Sequence, residues 1–162
     1  AGVGSLAGAG VGYFANRYRE NPPVMVVVEA SAADCLYRGA AAGDGEIRIV
    51  DGDMDKIMAG LACGEPNITS WDVSCFIALE DCAAARGMRM LAAPLKGDRQ
   101  VVSGESGAAS FAALAAIMRK DEYKELREKL GLGKDSKVLC FSTEGDTDPE
   151  RWKNIVWEGL ER

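Results

Sequence analysis

The stretch AGVGSLAGAGVGYFANRYRENPPVMVVVEA, Ala1 to Ala30, decides the fold class. Its first part is a glycine-rich turn entering an apolar segment, and Ser5 to about Tyr18 is predicted to be helical. Leu6, Ala9, Val11, Tyr13 and Phe14 are available there for burial. So many glycines make the first turn unstable alone, and tertiary packing must hold it. Asn21-Pro22-Pro23 breaks the chain, and Val24 to Val28 is then an aliphatic run of strand length. Such a run fits a parallel strand covered on both faces. Glycine turn, helix and buried strand in that order predict an α/β domain.

The same stretch offers chemistry. Backbone N–H groups of a glycine turn and the positive end of the helix behind it suit an anion, most simply a phosphate. Gly2-Val3-Gly4-Ser5-Leu6-Ala7-Gly8 spells G-x-G-x-x-x-G, and Glu29 ends the next strand. One reading is a Rossmann-type dinucleotide-binding domain, either in an oxidoreductase or as a non-catalytic nucleotide-binding module, with Glu29 on a ribose hydroxyl. The plain alternative is close helix-to-sheet packing through small residues. The loop alone leaves both open, and a second site must choose.

Composition removes several classes. The 162 residues, 48% hydrophobic, suit one domain with a sizeable core. Lys and Arg number 19 against 25 Asp and Glu, a net charge of -6, so there is no basic footprint for nucleic acid. No long apolar run or signal-peptide plan is present, which sets the expectation of a cytoplasmic protein without a membrane partner. Five Cys, with no C-x-x-C pair, and zero His argue against a metal site, a dense disulfide framework and His-dependent nucleophiles. Any reaction must then use a cofactor, a Lys or a carboxylate.

Further along, Ala32 to Ala42 is predicted as a helix ended by Gly43-Asp44-Gly45, and Glu46 to Val50 as a short strand. Met54 to Leu91 reads as helix in pieces. Ser103 to Met118 reads as a small-residue helix and Asp121 to Leu130 as a charged surface helix stopped by Gly131. Lys137 to Ser142, with VLCF at its heart, is predicted to be a last buried strand that encloses Cys140. Asp148-Pro149-Glu150 has the chemistry of a helix start, and that helix is predicted to run to about Leu160.

Three further stretches point one way: IMAGLACGEPNITSWDV from Ile57 to Val73, AAARGMRML from Ala83 to Leu91 followed by SGESGA from Ser103 to Ala108, and FSTEGDTDPERW from Phe141 to Trp152. Together they resemble the diaminopropionate ammonia-lyase family, which belongs to the fold type II pyridoxal phosphate enzymes. That group also resembles the tryptophan synthase β subunit, threonine dehydratase and serine racemase. The resemblance runs nearly the whole chain, with the segment between Trp71 and Ala83 a few residues shorter than the family pattern.

The resemblance implies a three-layer α/β/α arrangement on a parallel sheet, with residues 1–162 as the C-terminal portion of the catalytic domain. The lysine that bonds the cofactor would lie upstream; Lys56, Lys96, Lys120, Lys124, Lys129, Lys134, Lys137 and Lys153 all lack its context. It implies that Gly2, Val3, Gly4 and Ser5 cradle the phosphate of pyridoxal phosphate, and that Thr143 faces the pyridine nitrogen. Ser103, Gly104, Glu105 and Ser106 would form part of the wall facing a small amino-acid substrate. The implied reaction is α,β-elimination of 2,3-diaminopropionate to pyruvate and ammonia, in a cytoplasmic homodimer.

Each stretch also has a plainer reading. Ser142 to Asp148 serves equally as an acidic loop capping the last helix, and Ser103 to Gly107 as a capped helix start. Ala59 to Gly64 suits close packing, and Trp71, Trp152 and Trp157 suit core or interface anchors. Cys35 and Cys63 are expected near one another at one rim of the pocket, whether or not they are bonded.

Overall fold

The computed structural model describes residues 4–51, 57–63 and 73–161, which fall in two compact units, Ala1–Leu79 and Glu80–Arg162. In the first unit, α1 (Ser5–Arg17) starts from Gly4, whose φ of 91° is left-handed backbone that a side chain would strain. Ala7, Val11 and Phe14 fall on its inner, less exposed side at helical spacing, and Ala7 packs on the core. Leu6 and Tyr13, expected inside, are 57% and 63% exposed. The inner side is thus narrow, and Leu6 and Tyr13 fall outside it.

Strand β1 (Val26–Ala30) is buried over its last four residues. A short 3-10 turn, Ser31–Ala33, leads into α2 (Cys35–Ala42), which Gly43 ends at a φ of 67°. β1 pairs in parallel with β2 (Cys75–Leu79), Val26 opposite Cys75 and Ala30 opposite Leu79. A helix between two parallel strands is a βαβ unit, and the α/β expectation holds. Val27, Cys35, Leu36 and Val50 form its buried core.

Two expected elements also differ in this unit. Glu46 to Val50 is not a strand: Asp44 accepts a hydrogen bond from Glu46 N at 3.0 Å and turns the chain, and only Val50 is buried. Cys75 to Leu79 is a strand where helix was expected, because a five-residue apolar run carries no periodicity that tells the two apart.

The second unit is helical. The helix α3 (Asp81–Ala92) lies against α4 (Glu105–Arg119) so closely that a Cβ on Gly87 would stand 2.7 Å from Cβ of Ala112. A 3-10 turn, Asp121–Tyr123, and α5 (Lys124–Lys129) follow, stopped by Gly131 at a φ of 65°. The last helix, α6 (Pro149–Val156), starts as its sequence indicates, with Asp148 accepting from Arg151 N at 3.0 Å. It ends before Leu160. There Arg89 of α3 gathers the exit, its guanidinium donating to the carbonyls of Ile155 and Leu160 at 3.2 Å and of Glu161 at 3.3 Å.

Lys137 to Ser142 is not a strand either. Val138, Leu139 and Phe141 are 49%, 65% and 50% exposed, and Cys140 is only half-buried. An apolar run becomes a strand only where a neighbour supplies the ladder, and among the described residues this stretch has none. Trp157, expected as an anchor, is 68% exposed, while Trp152 donates its indole N–H to the carbonyl of Ser103 at 3.2 Å. Trp71 lies outside the described residues. So does Gly64; of that segment Ala59–Leu61 forms a 3-10 turn.

Candidate functional site

Helix starts leave backbone N–H groups without intrahelical partners, and something must accept from them. Among the described residues, carboxylates do so at the heads of α2, α4 and α6. Glu29, fully buried on β1, accepts from Leu36 N at 3.2 Å and Tyr37 N at 2.8 Å at the head of α2. Burial raises its carboxyl above the ordinary value, and the two backbone donors oppose that. The Cys35 thiol donates to the same carboxylate at 3.6 Å, and burial, with Glu29 beside it, pushes that thiol up to about 11. Glu29 is therefore engaged inside the fold and unavailable to a ribose, which corrects the dinucleotide reading.

Glu144 does the same for α4, its Oε1 accepting from Ser106 N at 2.6 Å and Gly107 N at 3.2 Å. Asp148 does it for α6. At α1, Gly4 provides no side-chain cap, and the first turn holds no acidic residue. The positive end of a helix with such a glycine head suits a negative group in sign and in backbone shape. Gly4 is buried and Ser5 exposed at that end, whereas Gly2 and Val3 lie outside the described residues.

The second unit brings two of the quoted motifs together. Ser103 is buried, and its hydroxyl lies 2.8 Å from the Ser142 hydroxyl. Gly104 N donates to the carbonyl of Glu144 at 3.2 Å. A Cβ on Gly104 would meet Gly145 O at 2.6 Å, so this glycine is needed for close approach of the two backbones. Glu105 pairs with Arg151 at 3.2 Å. Its carboxyl is raised, chiefly by burial and further by Glu144 and Asp148, while Arg151 acts in the opposite sense. Ser103, Gly104, Glu105 and Ser106 thus pack on residues 142–145. Thr143 is exposed and bonded to nothing among the described residues. Gly4 and Ser5 belong to the first unit.

Sequence reasoning missed Ser142 and Glu144 as the residues making these bonds. Their partners lie 37 to 39 positions away, beyond the reach of any local pattern. Cys35 and Cys63 are near one another as expected, the Cys35 thiol lying 3.7 Å from the carbonyl of Cys63, and both are free thiols. Among the described residues no helix is long and apolar enough to cross a membrane.

No family model matches the chain. Known proteins do. A diaminopropionate ammonia-lyase of Salmonella typhimurium (strain LT2) is 50% identical over 165 residues, which is 98% of this chain and 41% of that protein. The crystal structure of the Escherichia coli diaminopropionate ammonia-lyase in complex with D-serine superposes with a TM-score of 0.86 at 42% identity, over 99% of this chain and 40% of that one. The chain is a relative of diaminopropionate ammonia-lyase. It spans about two fifths of the length of the ammonia-lyases it matches. A second structure of the Escherichia coli ammonia-lyase, in complex with an aminoacrylate-PLP azomethine reaction intermediate, matches with a TM-score of 0.85 at 43% identity. The α/β fold is common to the chain and these ammonia-lyases, and nothing in the comparisons favours an oxidoreductase.

Proposed function

We propose that residues 1–162 are the C-terminal portion of a pyridoxal phosphate-dependent ammonia-lyase that converts 2,3-diaminopropionate to pyruvate and ammonia. The observation that carries this is the match along 98% of the chain at 50% identity to a diaminopropionate ammonia-lyase, joined to a shared fold at a TM-score of 0.86. The rest of the enzyme, with the lysine that bonds the cofactor, would come from outside these residues. A small amino acid is the substrate, and the whole enzyme is a cytoplasmic homodimer.

The residues present fit the cofactor's phosphate at one place. The helix α1 has a left-handed glycine at its head, no side-chain cap and no acid in its first turn. Gly2, Val3, Gly4 and Ser5 would hold the phosphate there through backbone N–H groups, the Ser5 hydroxyl assisting. When bound, pyridoxal phosphate supplies the electron sink that lets the α proton and then the β-amino group leave. This chain's part is to bind and orient. Thr143 would meet the pyridine nitrogen through its hydroxyl, and a hydroxyl there, in place of a carboxylate, favours the unprotonated ring. Ser103 to Ser106 would stand at the pocket wall, with Ser103 held by Ser142 and Glu105 by Arg151.

The test is the natural full-length gene product. It is expected to carry bound pyridoxal phosphate as purified and to release pyruvate from 2,3-diaminopropionate. A product that holds no cofactor and releases no pyruvate overturns the reading.

A further inference from the structure

Loop 142–145 is fastened at both ends of Thr143. On one side, the hydroxyl of Ser142 lies 2.8 Å from the buried hydroxyl of Ser103 and donates to the carbonyl of Glu144 at 3.4 Å. On the other, Glu144 holds the head of α4 with its side chain and with its backbone. Its Oε1 takes the N–H groups of Ser106 and Gly107 at 2.6 and 3.2 Å, and its carbonyl takes that of Gly104 at 3.2 Å. No space is left beneath it: a Cβ on Gly107 would meet Ser103 Oγ at 2.7 Å and the carbonyl of Glu144 at 2.9 Å. Thr143 alone in this turn has a hydroxyl that is exposed and bonded to nothing among the described residues.

We infer that Glu144 is a positioning residue, whose grip on α4 fixes where Thr143 presents its hydroxyl. The inference rests on the proposal that Thr143 serves the cofactor ring. A plain helix cap could come from any short polar side chain next to the helix start. Here the acceptor arrives from 38 residues away, on the residue after Thr143. A carboxylate in that place ties the loop through charge-assisted bonds, stronger than those of a neutral acceptor. Loss of the tie leaves Ser142 as the loop's one side-chain anchor, and Thr143 then samples positions off the ring. The hydrogen bond to the nitrogen would be made only part of the time.

The experiment uses the full-length holoenzyme with four substitutions: Glu144→Asp, Glu144→Ala, Asp148→Ala and Thr143→Val. Glu144→Asp keeps the charge and shortens the arm by one methylene, so it keeps the test alive if Glu144→Ala does not fold. Asp148→Ala removes a helix cap of the same kind from α6, to which the proposal gives no part in holding the cofactor. Visible absorption of the bound cofactor is followed against pH, with affinity for pyridoxal phosphate, kcat against KM, and melting temperature.

The expected result is that Glu144→Asp and Glu144→Ala alter the absorption profile in the direction of Thr143→Val and weaken cofactor retention by about fivefold. Asp148→Ala should lower the melting temperature alone. Glu144 variants that lose melting temperature as Asp148→Ala does, with the cofactor profile of the wild type, overturn the inference while Thr143→Val still alters it. A Thr143→Val enzyme with unchanged profile and affinity overturns the assignment of Thr143 itself, and the role of Glu144 with it.

Discussion

The backbone N–H of Tyr37 donates to the carboxylate of Glu29 at 2.8 Å, and Glu29 is wholly buried when it accepts. Its pKa is raised above 4.5, first by burial, so the folded state binds a proton more tightly than the unfolded chain does. Stability from such a group is fully present below the unfolded value and is lost as pH rises through the folded one. Against Glu29→Gln, which cannot titrate, the wild-type chain should therefore gain melting temperature as pH falls from 7 towards about 4.5. A gap between the two that stays constant with pH would show that Glu29 does not titrate differently on folding.

Cys35 is fully buried, and its thiol is pushed up to about 11. Thiolate is the reactive form, so both access and ionisation oppose its alkylation. Cys82 is exposed. Iodoacetamide at pH 8 followed by peptide mass spectrometry should modify Cys82 first and Cys35 last, with unfolding by urea removing the difference. Early labelling of Cys35 in the folded chain would contradict its burial.

Gly87→Ala sets two effects against each other. Alanine is favoured over glycine inside a helix by about 1 kcal/mol. The added methyl would stand 2.7 Å from Cβ of Ala112 and 3.2 Å from the carbonyl of Ala108, and overpacking of that kind costs about 1 to 3 kcal/mol. The second effect wins. Urea unfolding should show a net loss of roughly 1 kcal/mol, and a more stable variant would mean that α3 and α4 separate easily.

Thr143→Val in the full-length enzyme should weaken retention of pyridoxal phosphate by about 1 kcal/mol, the worth of one hydrogen bond. Thr143→Ser, which keeps the hydroxyl, should hold most of the activity. Equilibrium dialysis of the two variants against the wild type checks the first expectation, and pyruvate release the second.

What could be read in the sequence was what neighbours in sequence enforce. Asp148-Pro149-Glu150 start a helix because acceptor, fixed φ and acid act within one turn, and the structure has them so. Glycine entry and small inner residues gave α1 and α4 to within two residues of their observed starts. Val138 to Phe141 have the composition of a strand, yet strand formation depends on a partner that no local pattern names. Glu29 was legible as the acid ending a strand; its true use on α2 depends on how the chain folds back after Ala30. Glu144 gave no signal at all, because its two donors belong to a helix begun 39 residues earlier.

Arg89 is the feature with the longest reach of consequence. One planar cation reads three carbonyl oxygens, on Ile155, Leu160 and Glu161. Lysine offers the same charge as a compact point, without the fork that spans separated acceptors. Over generations of sequence drift, residue 89 and the spacing between residues 155 and 161 are thus bound to change together: an insertion or deletion in that short run would strand the guanidinium, and a lineage that lost the arginine would be released to vary the run's length.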